Sequence, residues 1–323
     1  MSHLPHITIC IITYNQEQYI EQAVESVLAQ QYEGTFNIIL SDDHSTDRTA
    51  DICRHYREQY PDRIQFIQSQ KNQGVVSNWI QALAHAHGEY IALLEGDDFW
   101  NDPTKIQKQS QILDRFPDVG FVFTDFYYQR DNQTTRMQGM PHYHLPENLF
   151  DETLFDQQIL SSSVLFRRSL TDSYITNLIL QNQYLTADLP FFLYFCLQSN
   201  GYFLPEITTI YRWKNGSVSR PVAMSEQLRM RRSIYQIRLF FIAKRGMNKK
   251  HLHAKNEFTF HKEELFIYWQ FNEFQHAKET AKIFNRKMAW EIDKKTAIII
   301  LLSQSKICFR IFRPYITRKR TWI

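Results

Sequence analysis

Short apolar runs alternate with amphipathic stretches over the first hundred residues, and this alternation limits the folds open to the chain. The apolar runs are short and nearly continuous, which is typical of strands that are buried on both faces. The predicted strands are 7–12, 36–40, 64–67 and 90–94, and the predicted helices are 17–30, 46–60 and 72–87. We expect Ser45 or Thr46 to cap the second helix and Gly88 to end the third. Because helices of this length join parallel strands by right-handed crossovers, the sequence predicts an α/β domain with a mostly parallel sheet.

Polar residues follow three of the four strands directly. They occupy positions 13–15, 41–45 and 95–98. Ligands of an open parallel sheet bind beyond the carboxyl ends of its strands. The sequence therefore predicts a site at this edge of the sheet.

The acidic group after the fourth strand indicates a divalent cation. No two glycines form a G-x-G pair and no G-x-x-x-x-G-K is present, so the usual glycine-rich phosphate loops are missing. Glu95, Asp97 and Asp98 offer the hard oxygen ligands that suit Mg²⁺ or Mn²⁺. A metal on a diphosphate stabilises the charge of a leaving group. The alternative is an acidic turn that caps a helix starting at Asn101 or Asp102.

Four segments together resemble the ordered motifs of family 2 glycosyltransferases. They are ICIITYN at 9–15, SDDHSTD at 41–47, NQG at 72–74 and LEGDDFW at 94–100. The resemblance covers about residues 7–219. It implies a GT-A fold, an inverting mechanism, a nucleotide-diphosphate sugar donor that is often a uridine derivative, and a divalent metal, Mn²⁺ or Mg²⁺.

The resemblance also implies roles for the residues after the first two strands. Thr13 and Tyr14 match the pair that contacts the nucleotide, and Asn15 completes that motif. Asp43 matches the carboxylate that accepts the imide N–H of the base, and Asp42 is expected to orient the loop.

The later motifs match the donor and metal contacts of the family. Asn72 begins the third motif and is expected to lie at the donor. Glu95-Gly96-Asp97 stands where the family has D-x-D, so Glu95 and Asp97 are expected at the donor and Asp97 and Asp98 at the metal. Because Glu95 replaces an aspartate and is longer by one methylene, we favour Asp97 and Asp98 over Glu95.

An inverting transfer needs a base within about 3 Å of the acceptor hydroxyl. The family places this carboxylate just before a helix, and Asp188 matches that position. Asp188 could instead cap a helix over 189–199, and the two roles are compatible. The segment 211–219 resembles the family's Y-R-x-H loop with Lys214 in place of histidine, and Arg212 or Lys214 is expected to stabilise the departing diphosphate.

The C-terminal part of the chain is predicted to be helical. We assign residues 1–221 to the catalytic domain and 222–323 to a helical region with a basic tail. From Ser303 onward the chain has six lysines and arginines and no acidic residue. Apolar and basic residues alternate there, which is typical of an interfacial helix on an anionic membrane, where each basic residue contributes about 1 kcal/mol. The residues concerned are Ile307, Phe309, Arg310, Ile311, Phe312, Arg313 and Trp322. The alternatives are that the apolar residues pack on the helical region or that the tail is simply solvated.

Four widely spaced cysteines and an N-terminus without a signal-peptide pattern lead us to expect a cytoplasmic protein, and the basic tail allows a place at the inner face of the plasma membrane. The body lacks a basic stripe, so nucleic acid is not an expected partner. The expected acceptor is a glycan, a lipid-linked sugar or a protein, in cell-surface glycan synthesis.

Two other functions stay open, a sugar nucleotidyltransferase and an inactive nucleotide-sugar-binding or scaffold protein. The first would need a glycine-rich basic loop after the first strand, and the retained carboxylates argue against the second.

Overall fold

The computed structural model describes residues 4–130, 133–136, 146–156, 159–214, 221–246, 249–287 and 294–318. Its internal contacts divide the chain into two units, one that ends at Lys214 and one that begins at Asn215. The division falls slightly before the boundary expected after residue 221.

The N-terminal unit contains a mixed sheet with the strand order β3-β2-β1-β4-β8-β6-β9-β5, and β7 pairs with β6. The strands are β1 (Ile7–Thr13), β2 (Phe36–Asp42), β3 (Ile64–Gln68), β4 (Tyr90–Glu95), β5 (Phe99–Trp100), β6 (Val119–Arg130), β7 (Gln133–Arg136), β8 (Leu165–Arg167) and β9 (Asn200–Arg212).

The first four strands are parallel to one another, as predicted. Strands β6 and β9 are also parallel, whereas β8 runs antiparallel to β4 and β6, and β5 antiparallel to β9. Only two residues join β6 to β7, and so short a connection allows only an antiparallel pair. The predicted class, an α/β sheet with flanking helices and a helical C-terminal region, is therefore confirmed, but the sheet is mixed instead of mostly parallel.

Seven helices of the N-terminal unit lie within the described ranges. They are α1 (Ile20–Leu28), α2 (Thr49–Gln59), α3 (Val75–Ala84), α4 (Lys105–Arg115), α5 (Pro146–Asp156), α6 (Ser173–Gln181) and α7 (Asp188–Gln198). The sequence did not predict α5 or α6. Part of the segment 129–156, which we expected to be irregular, lies outside the described residues.

The predicted start of α2 and the predicted end of α3 are wrong, because the residues concerned make other contacts. Helix α2 begins at Thr49 because Ser45 is used earlier, where its backbone N–H and hydroxyl both bind the carboxylate of Asp42. Helix α3 ends at Ala84 instead of reaching Gly88. The backbone N–H of Gly88 donates to Thr8 Oγ1 at 2.9 Å, and a Cβ at this position would lie 2.5 Å from Thr8 N. Gly88 therefore permits a close approach to β1.

The core of the sheet explains the continuous apolar pattern of its first strands. Ile7, Ile9 and Ile11 point to one face and join the packed cluster with α1 and α2. Cys10 points to the other face, where it is fully buried and its thiol lies 3.7 Å from Ala82 O. Burial raises the pKa of the Cys10 thiol to about 12, so Cys10 behaves as a small apolar residue of the core.

The C-terminal unit consists, in its described part, of the helices α8 (Met224–Arg245), α9 (Lys249–Gln270), α10 (Phe274–Lys287), α11 (Lys294–Leu302) and α12 (Lys306–Arg318). Trp269 is fully buried at its centre, donates from Nε1 to Ser303 Oγ at 2.8 Å and packs on Phe309. The last amphipathic stretch forms two helices because the chain turns at Ser303–Ser305. None of the helices, as far as the structure describes them, is long and apolar enough to cross a membrane.

Candidate active site

The acidic turn after β4 lies where the sequence placed it, and its shape depends on a close approach of the chain. Asp98 N donates to Glu95 O at 2.8 Å to close the turn, and Gly96 N donates to Ile12 O at 2.8 Å. A Cβ at Gly96 would lie 2.5 Å from Gln16 Oε1, so a larger residue would require the Gln16 side chain to move. The turn is thereby held against the end of β1.

Asp98 is fully buried beneath the turn. Its Oδ1 accepts the backbone N–H of Arg212 at 3.0 Å, and its Oδ2 accepts the hydroxyl of Ser162 at 2.8 Å. Burial, together with the charges of Asp97 and Glu95, raises the pKa of the Asp98 carboxyl well above its usual range. The structure leaves Asp98 no surface toward a ligand, so it does not place Asp98 as the metal ligand expected from the sequence. The side chain instead fastens β9 to the acidic turn.

Glu95 is partly buried at the end of β4. Its Oε1 accepts the hydroxyl of Ser161 at 2.8 Å, and its backbone N–H donates to Ser162 Oγ at 3.2 Å. Burial, and then the charge of Asp97, raises the pKa of Glu95 to about 7. A carboxyl group in this environment is a weaker cation ligand than a fully ionised one, which agrees with the preference for Asp97.

Asp97 is partly exposed, as Glu95 is, and forms an ion pair with a lysine. Lys214 Nζ is 3.0 Å from Asp97 Oδ2. Arg212 donates from Nη1 to the carbonyl of Asp97 at 2.7 Å and from Nη2 to Gln22. Both cations also contact the ring of Tyr19, with Lys214 Nζ 3.8 Å and Arg212 Cζ 5.1 Å from its centroid. The structure thus brings the predicted Asp97, Arg212 and Lys214 together.

The loops after β1 and β2 are joined by reciprocal hydrogen bonds. Asn15, with φ of +52°, accepts from Thr46 N at 2.8 Å through Oδ1, and its own N–H donates to Ser45 Oγ at 2.8 Å. Thr13 is buried and donates to Gln16 Oε1 at 2.8 Å. Tyr14, in contrast, is 42% exposed. Of the three predicted nucleotide contacts after β1, Tyr14 and Asn15 are exposed and Thr13 is buried.

Asp43 organises the third motif. Its two carboxylate oxygens accept the backbone N–H groups of Gln73 at 2.8 Å and Gly74 at 2.7 Å. Gly74 adopts φ of +88°, which favours glycine, and Asn72 Oδ1 also accepts from Gly74 N. Asp43 therefore joins the second motif to the third.

Asp42 is fully buried and binds Ser45 and, at 3.1 Å, Gln68 Nε2. It holds the loop after β2, as expected, and presents no surface to a nucleotide.

Asp188 is the first residue of α7, where Ala187 holds the N-cap position. Its Oδ1 accepts the backbone N–H of Leu189 at 2.7 Å and the hydroxyl of Thr186. The charge of Asp188 contributes to the raised pKa of Glu95. The side chain is partly exposed, so the structure brings a partly open carboxylate to the acidic turn from a distant part of the sequence.

Sequence reasoning missed several residues that support this site. Ser161 and Ser162 hold Glu95 and Asp98, and Tyr19 supports both cations. The amide of Asn78 donates to Thr13 O at 3.3 Å and to Ser41 O at 3.0 Å, which bridges β1 and β2. No sequence spacing links the two serines to the acidic turn, because Ser162 lies 64 residues away from Asp98.

The described residues also bear on metal binding. Across those ranges, no three histidine, cysteine or acidic side chains cluster so as to hold a metal ion. Asp97 provides one accessible carboxylate. Mg²⁺ and similar ions are often held by one or two carboxylates together with substrate phosphates. The donor set therefore fits a cation that shares its coordination with a diphosphate, and it does not fit a closed metal cage.

A family model described as "Glycosyl transferase family 2" matches residues 8–174. An uncharacterized protein of Mycobacterium bovis is 44% identical over 117 residues, which are 36% of this chain and 34% of that protein. The putative teichuronic acid biosynthesis glycosyltransferase TuaG of Bacillus subtilis is 31% identical over 52% of this chain and 64% of its own length. The enzyme WfaP of Escherichia coli, a UDP-Glc:alpha-D-GlcNAc-diphosphoundecaprenol beta-1,3-glucosyltransferase, is 34% identical over 42% of this chain and 51% of its length. The chain thus spans about one third to two thirds of these relatives.

Two solved structures share the fold over nearly the whole chain. S. aureus TarS 1–349 in complex with UDP-GlcNAc has a TM-score of 0.58 and 15% identity, and the match covers 98% of this chain and 91% of that one. The mannosyltransferase PcManGT of Pyrobaculum calidifontis, in complex with GDP-Man and Mn²⁺, has a TM-score of 0.55 and 16% identity, with 99% and 88% covered. At these identities the likeness shows the fold alone.

Proposed function

Because the chain belongs to glycosyl transferase family 2, we propose that it transfers a sugar from a UDP- or dTDP-linked donor to an acceptor hydroxyl with inversion. One observation carries this proposal. A partly open carboxylate, two cations and a second carboxylate from α7 meet beyond the ends of β4 and β9. Such a cleft suits a substrate with a charged diphosphate and a hydroxyl that must lose a proton.

The nucleotide would lie over the joined loops after β1, β2 and β3. Tyr14 and Asn15 are exposed there, and Asp43 and Asn72 hold the backbone at Gly74. Asp43 is buried, as Asp42 is, but each of its carboxylate oxygens accepts one backbone N–H and can accept a second hydrogen bond once the loops open to the base. A uracil or thymine imide N–H fits that chemistry. UDP complexes are known for TarS, and the name of WfaP includes UDP-Glc, which supports a uridine donor.

The diphosphate would bind between Asp97 and the two cations. Asp97 would share a Mn²⁺ or Mg²⁺ ion with the phosphate oxygens, and the bound ion would offset the negative charge of the leaving nucleotide. Arg212 and Lys214 would add hydrogen bonds to the same oxygens. The Mn²⁺ in the PcManGT complex supports a divalent metal. We assign Glu95 to the donor sugar or ribose side and Asp98 to the support of this turn.

Asp188 would act as the general base. It lies at the start of α7, is partly exposed and is close enough to Glu95 for its charge to affect that carboxyl. When the acceptor oxygen bonds to the anomeric carbon, the bond to the diphosphate breaks and the acceptor proton passes to Asp188. A single displacement of this kind inverts the anomeric configuration.

We further propose that the acceptor is a sugar of a growing glycan that is assembled on a lipid carrier on the cytoplasmic side of the membrane. The finished glycan would belong to the cell surface. The names of TuaG and WfaP support this acceptor class. The four cysteines lie far apart in the sequence without metal-type spacing, which supports a reducing compartment. Peripheral contact with an anionic membrane would bring such an acceptor to the cleft.

A donor-hydrolysis screen over UDP-, dTDP- and GDP-sugars tests the proposal without knowledge of the acceptor. We expect slow, metal-dependent release of UDP or dTDP, and its loss in Asp97→Ala. Calorimetry with the free nucleotides, with and without Mn²⁺, measures nucleotide affinity separately from donor hydrolysis. If the protein neither bound nor hydrolysed any of these donors, the proposed function would be wrong.

A further inference from the structure

We propose that α11 and α12 together form a docking surface for an anionic lipid bilayer, centred on apolar residues that the fold leaves outside its own core. We call this surface the α11–α12 face. It consists of Ile298, Leu301, Ile307 and Ile311. The inference deepens the proposed function, because a bound membrane would present a lipid-linked acceptor.

Helix α12 is apolar on two opposite sides. Phe309 and Ile316 face the core and are 0% and 9% exposed. On the opposite side of a 3.6-residue helix stand Ile307 and Ile311, which are 71% and 56% exposed. In an ordinary surface helix the side that faces water carries polar residues. Helix α12 instead places isoleucines there.

Helix α11 repeats the pattern. Thr296, Ile299 and Ile300 are buried, whereas Ile298 and Leu301, on the opposite side, are 51% and 70% exposed. The two helices are consecutive in the chain and contact each other, and our proposal places their outward apolar sides on one surface. Single exposed apolar residues need no explanation, but a cluster of them marks an interaction site.

This surface differs from the one expected from the sequence. Phe309 packs on Trp269 in the core, with ring centroids 4.2 Å apart, and is unavailable to a membrane. Arg313 donates from Nε to Trp269 O at 3.0 Å and from Nη2 to Gln270 O at 2.7 Å, so it binds the end of α9. Phe309 and Arg313 thus pack on the helical region, which was the alternative to membrane contact. Ile307, Ile311 and Phe312 are exposed. Trp322 lies outside the described residues.

Charge identifies the occupant as an anionic bilayer. Residues 294–318 contain six lysines and arginines and no acidic residue. Lys306 and Arg310 are exposed on α12 beside the isoleucines. An apolar centre with basic neighbours suits a helix that lies in the headgroup region, with its apolar side chains just below the phosphates. A second copy of this chain would carry the same positive charge and would be repelled.

Vesicle flotation of the full-length protein tests the proposal. We expect binding to vesicles of phosphatidylglycerol and phosphatidylcholine, and weak binding to phosphatidylcholine alone. The triple variant Leu301→Gln, Ile307→Gln and Ile311→Gln should bind the anionic vesicles at least about tenfold more weakly, since three side chains lose apolar burial. Val222→Gln is the matched control, because Val222 is also 70% exposed but lies outside the surface. It should bind as the wild type does.

A second variant keeps the test valid if the triple variant folds poorly, which circular dichroism will show. Lys306→Gln with Arg310→Gln should weaken binding to anionic vesicles and reduce its salt dependence. Equal binding by these variants and the wild type, or no binding by the wild type, would overturn the proposal. Self-association of the wild type in light scattering that the triple variant lacks would also overturn it, in favour of a protein interface. Nucleotide release by the variants is measured in parallel, so a failed membrane surface is distinguishable from a failed enzyme assignment.

Discussion

The ammonium group of Lys214 lies 3.0 Å from Asp97 Oδ2, on the carboxylate that we propose for the metal. In this arrangement the chain's own cation occupies the position where a divalent ion would bind. Lys214 is also 3.8 Å from the centroid of Tyr19, which holds it at the cleft. When a diphosphate binds together with its metal, the metal would replace Lys214 on Asp97. The phosphate oxygens would then offer Lys214 new partners. If the proposed metal site is correct, we expect the ion pair to link metal binding to donor binding.

Replacing Lys214 should separate these two events. In Lys214→Met, Asp97 no longer pairs with an ammonium group, so we expect Mn²⁺ to bind the nucleotide-free protein about tenfold more tightly, or ~1.4 kcal/mol. The affinity for UDP should fall because one cation at the diphosphate is lost. Electron paramagnetic resonance of free Mn²⁺ measures the first effect, and calorimetry with UDP measures the second.

Lys108→Met is the matched control for that variant. Lys108 also pairs with carboxylates, those of Asp102 and Glu206, but not with Asp97. It should leave both affinities unchanged. If Lys214→Met altered neither Mn²⁺ nor UDP binding, the ion pair would have no role in ligand binding.

Asp97 and Asp98 are adjacent, and the structure predicts opposite consequences for the same substitution. Asp97→Ala should abolish metal-dependent UDP binding and change the free energy of unfolding by less than about 1 kcal/mol, since the side chain is partly exposed. Asp98→Ala leaves the Arg212 N–H and the Ser162 hydroxyl without their acceptor and should destabilise the protein by about 1–3 kcal/mol. Urea unfolding and calorimetry distinguish the two. Equal stability of both variants would contradict the buried role of Asp98.

These two aspartates also show what the sequence can reveal about such a site. The strand pattern and the position of the acids after β4 predicted where the cleft lies, because the carboxyl ends of parallel strands share one edge of the sheet. The sequence pattern did not indicate which carboxylates of the turn point into the protein and which point toward the cleft. Asp98 is buried because β9 and the segment 161–163 approach it from far along the chain.

The same limit applies to the supporting residues and to the sheet. Tyr19 and Ser162 have no local signal, since their roles arise from contacts with residues distant in sequence. Helix α6 was missed although Asp172 caps it by accepting from Ile175 N at 3.1 Å. The antiparallel strand β5 is two residues long, too short for a periodic pattern to be recognised.

Asp188→Asn tests the proposed base. The amide keeps the size of the side chain and can still bind the start of α7, but it cannot take a proton. The turnover number for transfer to an acceptor should fall by roughly 10²–10⁴, while the affinity for the donor is unchanged. Asp172→Asn is the control, because it makes the same change at the start of α6. Wild-type transfer by Asp188→Asn would mean that Asp188 only supports the helix.

The buried Lys105 gives a prediction about stability and pH. It is fully buried, donates from Nζ to Gln109 Oε1 at 2.6 Å and lies 4.4 Å from the centroid of Trp100. Burial lowers the pKa of Lys105 to about 7, although the charge of Asp102 opposes this shift. Between pH 7 and about 10.5 the unfolded chain keeps a proton that the folded protein has lost, so the free energy of unfolding should rise with pH by up to about 1.4 kcal/mol per unit. Below pH 7 both states are protonated and this dependence disappears.

Lys105→Met should remove the rise in the free energy of unfolding with pH, whereas Lys71→Met, at an exposed lysine, should retain it. Urea unfolding at pH 6.5, 7.5 and 8.5 measures the slope, and parallel slopes for the wild type and Lys105→Met would show that Lys105 stays charged in the fold.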